Sequence, residues 1–218
     1  MTNKFSFDLF NTMPVIGIMR NIPDEHLDEI ARVYYRSGLT SLEITMNSAN
    51  AELNIAVLAE IYGNQLNIGA GTVCSMNDLE KALKANAQFI VTPVIDEEVI
   101  KTCVAEKIPV FPGAYTPSEI YKAWSLGAPM IKLFPAGDLK PGYIKEILAP
   151  LSFVSLMPTG GITLDNFTQY FQQGAKGVGI GSHLFPKDII NRQDWISLAE
   201  VYTSFVKKYQ DYINKNIK

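Results

Sequence analysis

The chain has 218 residues, 47% of them hydrophobic and 19% charged, with a formal net charge of −3 at pH 7. That length carries one large core, either a single α/β barrel or two small domains, in a composition ordinary for soluble globular proteins. The slight acidic excess argues against a nucleic-acid surface, and no apolar run approaches the ~20 residues needed to cross a bilayer, so no membrane partner is expected.

The opening segment MTNKFSFDLFNTM (1–13) carries Phe5, Phe7, Leu9 and Phe10. It lacks the long apolar region and cleavage site of a secretory leader and reads as a short amphipathic helix closing one end of a core. VIGIM (15–19) is the first strand. PDEHLDEIARVYYRSG (23–38) follows as a helix with Pro23 and acids at its start, Gly38 at its stop, and Leu27, Ile30, Val33 and Tyr34 on one face. SLEIT (41–45) and LNIGAG (66–71) are the second and third strands, and SMNDLEKALKANA (75–87) is a helix opened by the capping pattern Asn77-x-x-Glu80. QFIVT (88–92) and PVFPG (109–113) are strands four and five. TPSEIYKAWSLGA (116–128) is a helix capped by Thr116, with Pro117 first and Gly127 at the stop. MIKLF (130–134), FVSLMP (153–158) and GVGIG (177–181) complete the strands, and WISLAEVYTSFVKKY (195–209) is the closing helix.

Strand starts recur at the spacing of a strand–loop–helix–loop unit, with no linker, low-complexity segment or sequence-identical repeat. This rhythm predicts a single α/β domain over residues 1–218, a (β/α)8 TIM barrel with an N-terminal helix. An open doubly wound sheet is the weaker alternative. The GAG at 69–71 is not the dinucleotide pattern G-x-G-x-x-G, and it follows the third strand, not the first.

Barrel chemistry sits at the C-terminal strand ends. Those ends carry Arg20, Glu43 with Asn47, Thr72, Thr92-Pro93, Pro112-Gly113, Lys132 with Phe134, Thr159-Gly160-Gly161, and Gly181-Ser182. Lys132 stands alone in the apolar run PMIKLFPA (129–136), although lysine is among the residues least often buried. Glu43 sits in an apolar run in the same way. Strands two and six lie opposite in an eight-membered ring, so the two side chains can share one inward layer. Such a pair is either a structural ion pair or an amine with an acid/base partner. Desolvation lowers a lysine pKa and favours the neutral nucleophile that attacks a ketone, and a carboxyl beside it can shuttle the protons. Two histidines, His26 and His183, and two scattered cysteines, Cys74 and Cys103, make no evident metal cluster or disulfide framework, so no metal or cofactor is expected, in a cytoplasmic chain. Gly160-Gly161 and Gly181-Ser182 end two successive strands where barrels commonly bind phosphate, and favour a phosphorylated substrate.

With SLEIT, IGAGTV, IKLFPA, PTGGI and GIGS in this order along nearly the whole chain, the sequence resembles the 2-keto-3-deoxy-6-phosphogluconate and 4-hydroxy-2-oxoglutarate aldolases. The resemblance implies a metal-free class I aldolase, a trimer of barrels, that releases pyruvate with D-glyceraldehyde 3-phosphate or, from the shorter substrate, with glyoxylate. It implies Lys132 as the imine-forming lysine and Glu43 as the general acid/base. It sets Thr72 beside the pyruvyl carboxylate, Phe134 on the imine, and Gly160, Gly161 and Ser182 on the phosphate. One departure stands out: gluconate-type members carry an arginine where this chain has Asn47. That feature, with Arg20 in IMRN, is similar to the galactonate branch, whereas Thr159 in PTGG is similar to the gluconate branch. Arg20 is the nearest candidate to replace the missing charge, on the carboxylate or on the phosphate. Two other classes stay in view. One is another phosphate-binding barrel, an isomerase or a thiamin-phosphate-type synthase; the other is a non-catalytic ligand-binding barrel.

Overall fold

The computed structural model describes residues 4–216. Its strands are β1 (Val15–Met19), β2 (Ser41–Thr45), β3 (Asn67–Gly71), β4 (Ile90–Val91), β5 (Val110–Phe111), β6 (Gly113–Ala114), β7 (Ile131–Leu133), β8 (Leu156–Pro158) and β9 (Val178–Ile180). Its helices are α1 (Phe7–Thr12), α2 (Leu27–Arg36), α3 (Ala51–Tyr62), α4 (Met76–Lys84), α5 (Glu97–Ala105), α6 (Pro117–Ser125), α7 (Gly142–Leu148), α8 (Phe167–Gln172), α9 (Lys187–Asn191) and α10 (Trp195–Asn216). No helix among the described residues is long and apolar enough to cross a membrane.

All strand pairings are parallel. They form a six-stranded sheet in the order β5-β4-β3-β2-β1-β9 and a three-stranded sheet in the order β6-β7-β8. The sheets adjoin at Pro112, between β5 and β6, and at a parallel bridge of Thr159 to Gly179. The expected fifth strand is therefore split. Pro112 has no N–H to donate, and the chain passes there from the β4 side to the β7 side. Its carbonyl still accepts from the Lys132 N–H at 2.9 Å. The expected seventh strand is shorter than its apolar run, beginning at Leu156, and Phe153 is exposed. Strands covered on both faces need no polar alternation, and every residue of β2 and β3 is buried.

The N-terminal segment behaves as its sequence suggests where it is described; residues 1–3 of that reading lie outside the described part. Ser6 caps α1, accepting from the Leu9 N–H at 3.1 Å. Ser6 also holds Asn67, at the start of β3, through two hydrogen bonds of 2.8 and 3.1 Å. Phe10 is thereby buried with Ile16, Phe89, Val91, Phe111, Met130 and Met157, and the Phe5 ring lies over Phe10, Phe89 and Phe111. The segment 23–38 begins as a 3-10 turn, Asp24–His26, before α2. The α4 cap differs from the expected Asn77-x-x-Glu80. Ser75 accepts from the Asp78 N–H, and the Asp78 carboxylate receives the Ser75 hydroxyl at 2.9 Å. Aspartate fills the third position here, two residues earlier than the glutamate pattern suggested. At α6 the expected cap is complete, with Thr116 and Glu119 each accepting from the other's backbone N–H.

Candidate active site

β2 positions Glu43, paired in register with Ile18 on β1 and Gly69 on β3. β7 positions Lys132, between Gly113 on β6 and Met157 on β8. Both side chains are almost fully buried, Glu43 at 1% exposure and Lys132 at 4%. The carboxylate lies over Gly71, where any Cβ would overlap it, so the glycine that ends β3 makes room for the acid on β2. Lys132 Nζ lies 4.9 Å from the centre of the Phe134 ring.

Burial pushes the Glu43 carboxyl pKa up, and the charges of Lys132 and Arg20 oppose that push. Burial pulls the Lys132 amine down, with Glu43 opposing and Arg20 adding to the effect. Each group therefore shifts toward its neutral form while feeling the other's charge. Glu43 Oε1 is buried without a hydrogen-bond partner. A buried acceptor left unpaired costs about 1–3 kcal/mol, which a purely structural ion pair would recover by direct contact.

A cavity of about 340 Å3 opens at Lys132, and Glu43 is not part of its lining. Arg20, Lys132, Phe134, Thr159, Gly160, Gly161, Gly181 and Ser182 all line it. Gly160 and Gly161 have φ of +92° and +68°, and a Cβ on Gly161 would run into the backbone of Gly137, so this tight turn requires glycine. Thr72, itself at φ +56°, lies beside the cavity, where its Oγ1 accepts from Arg20 Nη2 at 3.4 Å. Asn47 does not reach the lining; it is exposed in the turn that leaves β2. The lining adds His183, Phe185 and Lys187, to which the sequence assigned no part. Their signal was faint: a histidine and a lysine just past a glycine loop look like any solvated pair.

The buried amine, the unpaired carboxylate and the glycine-lined mouth suit carbonyl chemistry on an anionic substrate. Comparison with known proteins agrees with this geometry. The sequence model of the family described as "Aldolase: KDPG and KHG aldolase" matches residues 8–201. The chain belongs to this aldolase family. It is 34% identical over 203 residues to the 2-dehydro-3-deoxy-6-phosphogalactonate aldolase of Escherichia coli K12, covering 92% of this chain and 97% of that relative. It is 32% identical over 202 residues to the 2-dehydro-3-deoxy-phosphogluconate aldolase of Pseudomonas aeruginosa, covering 92% and 90%. Among solved structures, a KDPG aldolase from Legionella pneumophila holding pyruvate as a covalent carbinolamine superposes with a TM-score of 0.82 at 26% identity, covering 90% of this chain and 96% of that one. As an aldolase, the protein is a carbon–carbon lyase.

Proposed function

We propose that this aldolase cleaves a 2-keto-3-deoxy-6-phosphohexonate into pyruvate and D-glyceraldehyde 3-phosphate through an imine on Lys132. The observation that carries the reading is the buried Lys132 amine beside a buried, unpartnered Glu43 oxygen. The amine adds to the C2 ketone, and loss of water, assisted by a proton from Glu43, gives the iminium. The C3–C4 bond then breaks: its electrons flow into the iminium, and the C4 hydroxyl gives its proton to the Glu43 carboxylate as the aldehyde leaves. The enamine takes a proton at C3, and water frees pyruvate and the amine. Thr72 and Arg20 bind the carboxylate end, with Asn47 at the outer turn. Phe134 packs on the imine. Thr159 borders C4, and Gly160, Gly161, Gly181 and Ser182 receive the phosphate.

The strands fit eight staves of a closed (β/α)8 barrel, with β5 and β6 as halves of one stave, in a single domain; a homotrimer belongs to the same reading. Relatives named for the gluconate and for the galactonate acid match to nearly the same extent, so the proposed substrate is the six-carbon skeleton common to both. 4-Hydroxy-2-oxoglutarate, which gives glyoxylate, is the shorter substrate. The test is borohydride reduction with pyruvate, followed by intact and peptide mass. A pyruvyl adduct on Lys132 is expected, and rates of pyruvate release from the two C4 epimers assign the configuration. A chain that turns over substrate with no adduct, or with the adduct on another lysine, overturns the reading.

A further inference from the structure

The cavity is electrostatically one-sided. Arg20, Lys132 and Lys187 line it, and no aspartate or glutamate among the described residues does. Burial favours the neutral form of Lys132, which leaves Arg20 and Lys187 as the cations of the lining, and a ligand that carries two anionic groups can match both.

The three basic residues come from different strands: Arg20 follows β1, Lys132 is on β7, and Lys187 comes after β9. Arg20 leans on Thr72 at the β3 side, and its charge reaches both Glu43 and Lys132. Lys187 comes after β9 and the Gly181–His183 turn, as the first residue of α9, and lines the cavity together with Gly181 and Ser182. The charges that act on Lys132 are those of Glu43, Arg20 and Cys74, and Lys187 is not among them. No ion pair among the described residues holds the Lys187 ammonium. The adjacent Asp188 is directed to Arg192 at 3.5 Å. Lys187 is thus an exposed cation at the cavity, beside the glycine loops that share its lining.

Resting on the aldolase reading above, we propose that Lys187 is a substrate-binding residue that pairs with the terminal phosphate, leaving Arg20 to the carboxylate. The substrate then lies across the cavity with C1 toward Arg20 and Thr72, C2 at Lys132, and the phosphate between Ser182, Gly161 and the Lys187 ammonium. A flexible lysine serves here as a point charge at the rim, whereas the planar guanidinium of Arg20 suits the planar carboxylate.

The test compares Lys187→Ala and Lys187→Arg with the wild type on the phosphorylated acid and on the same acid without phosphate. Lys187→Ala is expected to lower kcat/KM for the phosphorylated substrate about tenfold more than for the unphosphorylated one, mainly through KM, and Lys187→Arg to restore most of it. A phosphorus NMR titration with inorganic phosphate needs no turnover; Lys187→Ala should weaken that binding by a similar factor and leave the circular-dichroism melt unchanged. Equal losses on both substrates, or unaltered phosphate binding, would overturn the assignment. Failure of pyruvate trapping on wild-type Lys132 would overturn the imine reading instead, and the phosphate titration would still decide Lys187.

Discussion

The two ends of the strand set are filled by opposite means. At the N-terminal ends, Phe5, Phe10, Phe89 and Phe111 interlock with Met130 and Met157, and α1 closes over them. Next to this plug, β2 and β7 bury Glu43 and Lys132, with Glu43 Oε1 unpaired. Met157 and Lys132 are register partners, so the two environments meet within one residue pair. Apolar burial stabilises by about 1.5–3 kcal/mol for a large side chain, whereas burying an ionisable group costs free energy unless it is fully paired. One end therefore holds the fold, and the other spends stability on reactivity. Mutations at the two ends should separate the two properties.

The largest expected effect is Lys132→Ala. Loss of the amine should abolish aldol cleavage in a chain that still folds and melts cooperatively, because the amine is the covalent catalyst. Pyruvate release and a melt on the same sample check both halves. Activity remaining in a folded variant would break the comparison at its catalytic end. Glu43→Gln keeps the shape and removes the proton shuttle, so turnover should fall about 10²–10⁴-fold. Single-turnover trapping should show slower imine formation. A change within about threefold would move the acid/base role to another group.

Phe10→Ala is the mirror image. Phe10 is fully buried, and truncation at such a site costs about 3–5 kcal/mol, on the order of 10 °C in midpoint for a chain of this size. The kcat of the remaining folded enzyme should be unchanged. A denaturant melt and an assay well below the midpoint measure the two. A drop in kcat as large as the drop in stability would mean that the ends are coupled, not divided.

Much of this division was legible in the chain itself. PMIKLFPA exposes its lysine as an anomaly because everything around it is apolar, and SLEIT does the same for Glu43. The aromatic plug was legible as an amphipathic opening segment. Pro112 was visible, but the split it causes depends on which neighbour each half-strand meets, and that is tertiary information. Gly71 looked like part of a motif; only the packing shows that it leaves room for the Glu43 carboxylate. Asn47 drew attention by a residue change, yet its turn leaves it exposed outside the cavity lining. Lys187 drew none, because a lysine opening a helix is ordinary until a cavity is seen beside it.

The smallest expected effect tests whether Lys132 is truly desolvated. It needs a background without Glu43, whose charge raises the lysine pKa against the pull of burial. Glu43→Gln is therefore compared with the Glu43→Gln, Lys132→Met double variant. At a pH below the lowered folded-state pKa, the lysine is charged in both folded and unfolded chains, and the folded state bears the full burial cost. Between that value and the ordinary 10.5, the unfolded chain binds a proton that the folded chain does not. Stability of the single variant should then rise with pH, because the unfolded state binds more protons. The double variant lacks this group and its slope. The expected result is a double variant that is the more stable near neutrality, with an advantage that shrinks as the pH approaches 10.5. Urea midpoints across that range measure the gap. Two parallel curves would mean that the ammonium keeps its hydration in the folded protein, and the catalytic end would lose the feature that separates it from any surface lysine.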